Sequence, residues 1–162
     1  MTASPALHWD QQRLAYKLPP LVLALGIVAL IWLTPAWLPP TLEPSGRLWL
    51  GAVVVLLGGG VCMAGVLAFG RARTTVSPVA PQAASALVVR GVYRYSRNPM
   101  YLGFALGLLG WSIGLGKLSG VLWCAVFIAY LQRYQIKPEE RVLGEKFGAA
   151  YQSYCAQVRR WV

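Results

Sequence analysis

Acidic residues are scarce in this 162-residue chain: five Asp and Glu stand against fifteen Lys and Arg, and charged residues of both signs make up only 12% of the sequence. None of the five carboxylates falls inside an apolar run. A proton-coupled transporter normally needs an ionisable group within the membrane to carry the coupling, so that class loses its support. Histidine occurs once, as His8, which reads as an exposed tail residue. The three cysteines, Cys62, Cys124 and Cys155, are odd in number and show no CxxC spacing. Cys62 and Cys124 lie in apolar runs, where a free thiol behaves as a small hydrophobe, so neither a disulfide nor a metal site is expected. No Gly-rich dinucleotide fingerprint is visible either.

What the chain has instead is oil-soluble surface. Hydrophobic residues make up 57% of it, which points to a membrane protein of a single domain covering residues 1–162. The net charge of +10 could serve nucleic acid, but the positive residues alternate with apolar runs and line no single face, so no nucleic-acid partner is expected.

Residues 18–38 and 48–70 carry no charge, and each is long enough to cross a hydrocarbon core of about 30 Å at about 1.5 Å per residue. A third uncharged run covers 99–116, and a shorter fourth covers 118–132, with Gly116, Lys117 and Gly120 between them. These last two read as a tight helical hairpin. The first run exceeds the roughly 7–15 apolar residues of a signal peptide and no A-x-A site follows, so it reads as a span. The fold class expected is therefore all-α: a polytopic membrane protein of about four transmembrane helices, plus a C-terminal amphipathic helix in the cytoplasm.

Positive charge orients the spans. Of the 15 Lys and Arg, 13 lie in the N-terminal tail (Arg13, Lys17), the second loop (Arg71, Arg73, Arg90, Arg94, Arg97) and the C-terminal segment from Arg133 to Arg160. Arg47 and Lys117 alone lie on the other side. The positive-inside rule makes the rich side, and both termini, cytoplasmic. Both long polar segments then face one compartment, and any chemistry belongs at the cytoplasmic edge.

Two edge motifs stand out. In the first, Asn98 suits an N-cap and Pro99 a first helical residue, while Arg94 and Arg97 could reach lipid phosphates and Tyr93, Tyr95 and Tyr101 form an interfacial belt. In the second, Pro138 opens a helix, and Glu139 and Glu140 complement the positive end of its dipole. Leu143, Phe147, Tyr151, Tyr154 and Val158 then make one apolar stripe, which lies on the membrane or against the loop before Asn98. Taken singly, each is an ordinary helix start. The short hairpin between them makes 98–101 and 133–140 neighbours in space. Gly58, Gly59, Gly60 and Gly65 in the second span read as close-packing residues, within the protomer or between copies of a homo-oligomer, with a substrate groove as the alternative.

Arg97-Asn98-Pro99-Met100-Tyr101-Leu102-Gly103 resembles the Arg-His-Pro-x-Tyr-x-Gly motif of isoprenylcysteine carboxyl methyltransferases and their bacterial relatives, and phospholipid methyltransferases carry a similar segment. The approach LVVRGVYRYSRNP is similar to the family's Leu-Val-x-x-Gly-x-Tyr-Arg. Glu139-Glu140, Leu143, Phe147-Gly148, Tyr151 and Tyr154 resemble its C-terminal signature. The resemblance covers residues 87–161, and it departs in three places. Asn98 stands for histidine, which removes any proton-carrying role there but keeps hydrogen bonding. The acidic cluster is Glu139 and Glu140 alone. Gln157-Val158-Arg159-Arg160 stands for Arg-Val-Pro-Arg.

The resemblance implies an integral bacterial inner-membrane enzyme that uses S-adenosylmethionine, with residues 1–70 as two N-terminal spans and 71–162 as a cofactor-binding catalytic core. Arg94, Arg97 and the helix N-terminus at Asn98 would hold the cofactor's carboxylate. Glu139, Glu140 and the face of Tyr101 would stabilise its ammonium and sulfonium. The backbone of Val88, Val89 and Gly91, with Tyr93, Phe147, Tyr151 and Tyr154, would form the adenine slot. Arg133 either snorkels to lipid phosphate or holds an anionic substrate head. With no histidine near the site, a general base would be Glu139 or Glu140, which favours an acceptor already anionic, a carboxylate or thiolate, arriving from the bilayer. The rival readings are an NADPH-dependent membrane reductase of similar architecture, and a non-catalytic scaffold or small transporter.

Overall fold

Proline marks the beginning of most of the described helices. A computed structural model describes residues 18–37, 40, 42–72 and 86–162; His8, Arg13, Lys17, Leu38 and Arg73 lie outside them. Helices α1 (Pro20–Leu33), α2 (Pro44–Arg71) and α3 (Pro99–Leu115) each start on a proline, whose missing N–H would be unpaired in a first turn anyway. Helix α4 (Ser119–Leu131) follows α3, and α5 (Lys137–Gln157) carries Pro138 in its first turn. A 3-10 turn, Gly91–Arg94, precedes α3. The described residues contain no strand.

Helix α2, with 28 residues, is the one described helix both long and apolar enough to cross a membrane, while α1 and α3 are apolar but shorter. Its outward face carries Trp49, Leu56, Leu57, Met63 and Leu67, all exposed, as a lipid-facing surface requires. Its inward face is glycine. A Cβ at Gly58 would stand 2.6 Å from the Gly103 carbonyl oxygen, one at Gly51 2.6 Å from that of Gly110, and one at Gly65 2.7 Å from the Met100 side chain. The backbones of α2 and α3 therefore touch, as small-residue seams in membranes allow. Gly59 and Gly60 point away, with nothing within 4 Å. The glycine cluster is thus divided: Gly58 and Gly65 pack within the protomer, while Gly60 lines an open apolar groove of about 440 Å³ together with Val53, Leu57, Ala64 and Val92.

Helix α1 lays Ala24, Ile27 and Ile31 against Leu108, Cys124 and Phe127 to complete the core. The hairpin between α3 and α4 turns at Gly116, whose φ of 66° only glycine adopts easily. Beside it, Lys117 Nζ donates to the carbonyl oxygens of Ile31 and Trp32, so the hairpin tip caps the C-terminal end of α1.

The structure corrects one expectation. Pro138 does not open a separate helix, because the chain runs from α4 through a π-helical segment, Gln132–Ile136, directly into α5. Pro138 has no N–H for the carbonyl four residues back, and its ring would crowd it. The wide turn absorbs that conflict, with the Lys137 N–H bonded to the Gln132 carbonyl. Helix α5 is then kinked at Gly148 (φ 50°, ψ −124°). The apolar stripe survives the kink: Leu143, Phe147, Tyr151, Tyr154 and Val158 pack together with Leu87, placing α5 against the segment before Asn98.

Candidate active site

The start of α3 and the start of α5 meet. Tyr101, in the first turn of α3 and buried, donates its hydroxyl to Glu139 Oε2 at 3.3 Å. One residue along, the Glu140 carboxylate is shared by two guanidiniums. Arg97 Nη1 lies 3.1 Å from Oε1, and Arg160 approaches both oxygens, with Nε 2.9 Å from Oε1 and Nη2 2.6 Å from Oε2. Arg97 Nη1 also lies 2.6 Å from Cys155 Sγ, and its buried Nε has no protein partner.

The chain after α5 returns across this junction. The Arg97 backbone N–H donates to the Arg159 carbonyl at 3.0 Å, and Asn98 Nδ2 donates to the Arg160 carbonyl at 3.0 Å. This changes the part expected of Asn98. It is the N-cap residue of α3, yet its side chain makes no cap bond; its Nδ2 serves the returning tail instead. The Asn98 N–H is taken by Ser96 Oγ at 3.1 Å. On the far side, Tyr154 donates to the Tyr93 carbonyl at 2.7 Å, and the Tyr93 ring stacks edge-on against Phe69 of α2, with centroids 5.4 Å apart.

Electrostatics distinguish the two glutamates. Burial pushes the Glu139 carboxyl up to about 7, Glu140 adds to the rise, and the Tyr101 hydrogen bond opposes it. Glu139 is therefore poised to exchange a proton near neutrality. Glu140 is held between two cations. The Arg160 guanidinium is in turn pushed further up, chiefly by its hydrogen bonds to Glu140.

Known proteins are similar to this chain in sequence. The sequence model of the family described as phospholipid methyltransferase matches residues 46–150. A probable protein-S-isoprenylcysteine O-methyltransferase of Oryza sativa is 32% identical over 139 residues, covering 85% of this chain and 72% of its own. The chain belongs to the phospholipid methyltransferase family. It is a membrane methyltransferase. An uncharacterised protein of Haemophilus influenzae is 41% identical over 63 residues, which is 39% of this chain and all of that protein. A delta(14)-sterol reductase of Mus musculus is 35% identical over 74 residues, 44% of this chain and 18% of its own. No solved structure matches the chain.

Within this methyltransferase, the candidate residues fall into three groups. Arg97, Asn98, Tyr101, Glu139 and Glu140 meet at the junction just described. Tyr93, Phe147, Tyr151 and Tyr154 stand beside it, with Val88 buried nearby in the sequence segment that approaches α3. Val89, Gly91, Arg94 and Arg133 are exposed, and the Arg133 guanidinium lies 5.7 Å from the ring centre of its neighbour Tyr134. Gly91 does adopt φ 64°, so its place in the approach segment has a backbone reason.

Three participants escape a reading of the sequence: Gln135, Cys155 and Arg160. Gln135 is buried in the π segment and hydrogen-bonds Tyr101. Its one signal is a polar side chain four residues before Glu139. Arg160 ends the segment that stands for Arg-Val-Pro-Arg, but only the fold of the tail gives it its partner Glu140. Cys155 faces Arg97 only because α5 docks on the approach segment.

Proposed function

We propose that this methyltransferase is a multi-pass, four-span enzyme of the bacterial inner membrane with both termini in the cytoplasm, that it uses S-adenosylmethionine, and that it methylates a lipophilic acceptor at the cytoplasmic membrane edge. The observation that carries the reading is the meeting of the two motifs, with Tyr101 on Glu139 at 3.3 Å and Arg97 on Glu140 at 3.1 Å. A donor bound there would have cationic, anionic and aromatic partners within one junction.

The residues present suit that cofactor. The buried, unpartnered Arg97 Nε and the N-terminus of α3 offer donors for an amino-acid carboxylate. Glu139, ionised, and the Tyr101 face favour an ammonium and a sulfonium. The apolar cluster of Phe147, Tyr151 and Tyr154 beside the 87–92 backbone suits an adenine ring. S-adenosylmethionine supplies a methyl carbon already activated on a sulfonium. The protein's part is to orient the reactants and exclude water. Glu139, with its carboxyl near 7, takes the acceptor's proton where the acceptor carries one.

The relatives act, by name, on isoprenylcysteine, and the family by description on phospholipid. We infer an acceptor of the same kind: an anionic head, a carboxylate or thiolate, on a hydrocarbon tail. Exposed Arg133 meets the head at the membrane edge. The groove between Gly60 and Val92 receives the tail, since Val92 adjoins Tyr93 and so leads to the junction. Residues 71–162 form the catalytic core, and 1–70 supply the lipid-facing scaffold.

Calorimetric titration of the detergent-purified protein with S-adenosylhomocysteine tests the reading. Saturable binding that Glu139→Gln weakens at least tenfold is the expected result. Saturable binding of NADPH with none of S-adenosylhomocysteine would overturn it.

A further inference from the structure

Arg160 reaches the junction by its backbone and acts there by its side chain. The Arg97 N–H donates to the Arg159 carbonyl and Asn98 Nδ2 to the Arg160 carbonyl, each at 3.0 Å. On either side, Val158 is buried and Trp161 Nε1 donates to Gln132 Oε1 at 3.4 Å. None of these contacts uses the Arg160 guanidinium, so the tail docks without it.

That guanidinium takes Glu140 as a fork, with Nε 2.9 Å from Oε1 and Nη2 2.6 Å from Oε2. Two parallel charge-assisted bonds fix the plane of a carboxylate, which one bond does not. Both Glu140 oxygens are thereby engaged, and Arg97 meets the carboxylate at one point only, Nη1 on Oε1 at 3.1 Å. Arg97 Nη1 lies also 2.6 Å from Cys155 Sγ, while its buried Nε has no protein acceptor. Nε and Nη2 form the second edge of the Arg97 guanidinium. A Glu140 carboxylate free to turn would fork Arg97 through Nη1 and Nη2, since a bidentate pair is stronger than a single bond, and so would occupy half of that edge. We propose that Arg160 is a positioning residue: by gripping both oxygens of Glu140 it keeps that carboxylate from forking Arg97, so that the Nε–Nη2 edge of Arg97 stays open to the carboxylate of the cofactor's amino-acid tail. This rests on the reading of Arg97 as the partner of that carboxylate. Glu140 is then an anchor for Arg97 while Arg160 holds it, and a competitor of the cofactor once released.

The test compares two ligands by calorimetric titration of the detergent-purified protein. S-adenosylhomocysteine carries the amino-acid carboxylate, and methylthioadenosine keeps the adenosine and the sulfur but lacks it. Arg160→Gln should weaken S-adenosylhomocysteine roughly tenfold and leave methylthioadenosine as it was. Arg160→Lys, which keeps the charge but loses the fork, should weaken S-adenosylhomocysteine in the same direction by roughly threefold, and it serves if the glutamine variant does not fold. Adding Glu140→Gln to Arg160→Gln should recover affinity, because a neutral amide does not compete for the Arg97 guanidinium. A purely structural Arg160 predicts the reverse, a double variant no better than the single one. Unchanged S-adenosylhomocysteine affinity, equal loss on both ligands, or no recovery in the double variant overturns the proposal alone. No binding of S-adenosylhomocysteine to the unaltered protein overturns the cofactor reading and the proposal with it.

Discussion

Helix α3 is held by two seams of opposite character. Along its length it meets α2 through glycine backbones. At its first turn it meets α5 through a tyrosine, two glutamates and two arginines. The first seam has no chemistry and no slack. The second is polar and has exchangeable parts. One helix thus fixes where the site is by steric contact, and what the site can do by hydrogen bonds. The largest effect should come from the steric seam. A Cβ at Gly103 would lie 2.5 Å from the Gly58 carbonyl oxygen, and backbone cannot swing aside as a side chain can. Gly103→Leu is therefore expected to cost more than about 3 kcal/mol and to eliminate the monodisperse peak in detergent size-exclusion chromatography. The same change at Gly59, which meets nothing, should leave that peak unchanged.

The polar seam should yield by degrees. Glu140→Ala leaves Arg97 and Arg160 facing each other without their shared acceptor. The three side chains keep between 15% and 30% of their exposure, so water moderates the loss, and about 2–3 kcal/mol is expected. A thermal melt in detergent measures it. Glu140→Gln, which keeps the shape and one acceptor oxygen, should fall between the two. If Glu140→Ala melted like the unaltered protein, the ion cluster would have no part in holding α5 to α3.

How far the sequence anticipates these seams depends on what each residue needs to know. The stripe from Leu143 to Val158 is local, since helical spacing alone puts its members on one face, and it appears as read. Lys117 and Gly116 mark the hairpin for equally local reasons. Gly58 and Gly59 cannot be told apart in that way: which of two neighbouring glycines faces a partner depends on where the partner lies. Asn98 shows a distant partner that local sequence does not reveal. Its local signal is a cap, but the bond its side chain makes is from Nδ2 to the Arg160 carbonyl, 62 residues away in sequence. Gln135 is hidden by its chemistry, not by its register. Helical spacing does put it on the face of Phe127 and Leu131, but a lone polar side chain at the end of a span says nothing of what it meets there.

Acidity divides the seams again. The Glu139 carboxyl is pushed up to about 7 in the folded protein, against about 4.3 for an unperturbed glutamate. Between those values the unfolded chain has released a proton that the folded one keeps. Stability from this group is therefore full below the lower value, falls as pH rises through the interval, and levels off above the upper one. With residual solvent contact discounted, the fall should be about 1–2 kcal/mol. Denaturant midpoints collected between pH 4 and 8 should show this slope, and Glu139→Gln should flatten it. A slope that persists in the variant would assign the titration to another group.

The smallest effect separates the seams from the surface between them. Gly60 lies on the same helix as Gly58 but meets nothing within 4 Å and lines the apolar groove with Val92. A leucine there gains helix propensity and contacts no backbone, so the melt should hold or rise slightly. It does fill the groove. If the groove takes the acceptor's tail, Gly60→Leu should raise KM for an S-farnesyl N-acetylcysteine roughly 3–10-fold, the weight of about one buried methylene or two. KM for the S-dimethylallyl analogue, too short to reach past Val92, and kcat for both should stay as they were. Equal loss on both acceptors would place the tail elsewhere. A glycine in the seam would then differ from a glycine in the groove in stability alone, and substrate selection would have to be sought on the other faces of α2 and α3.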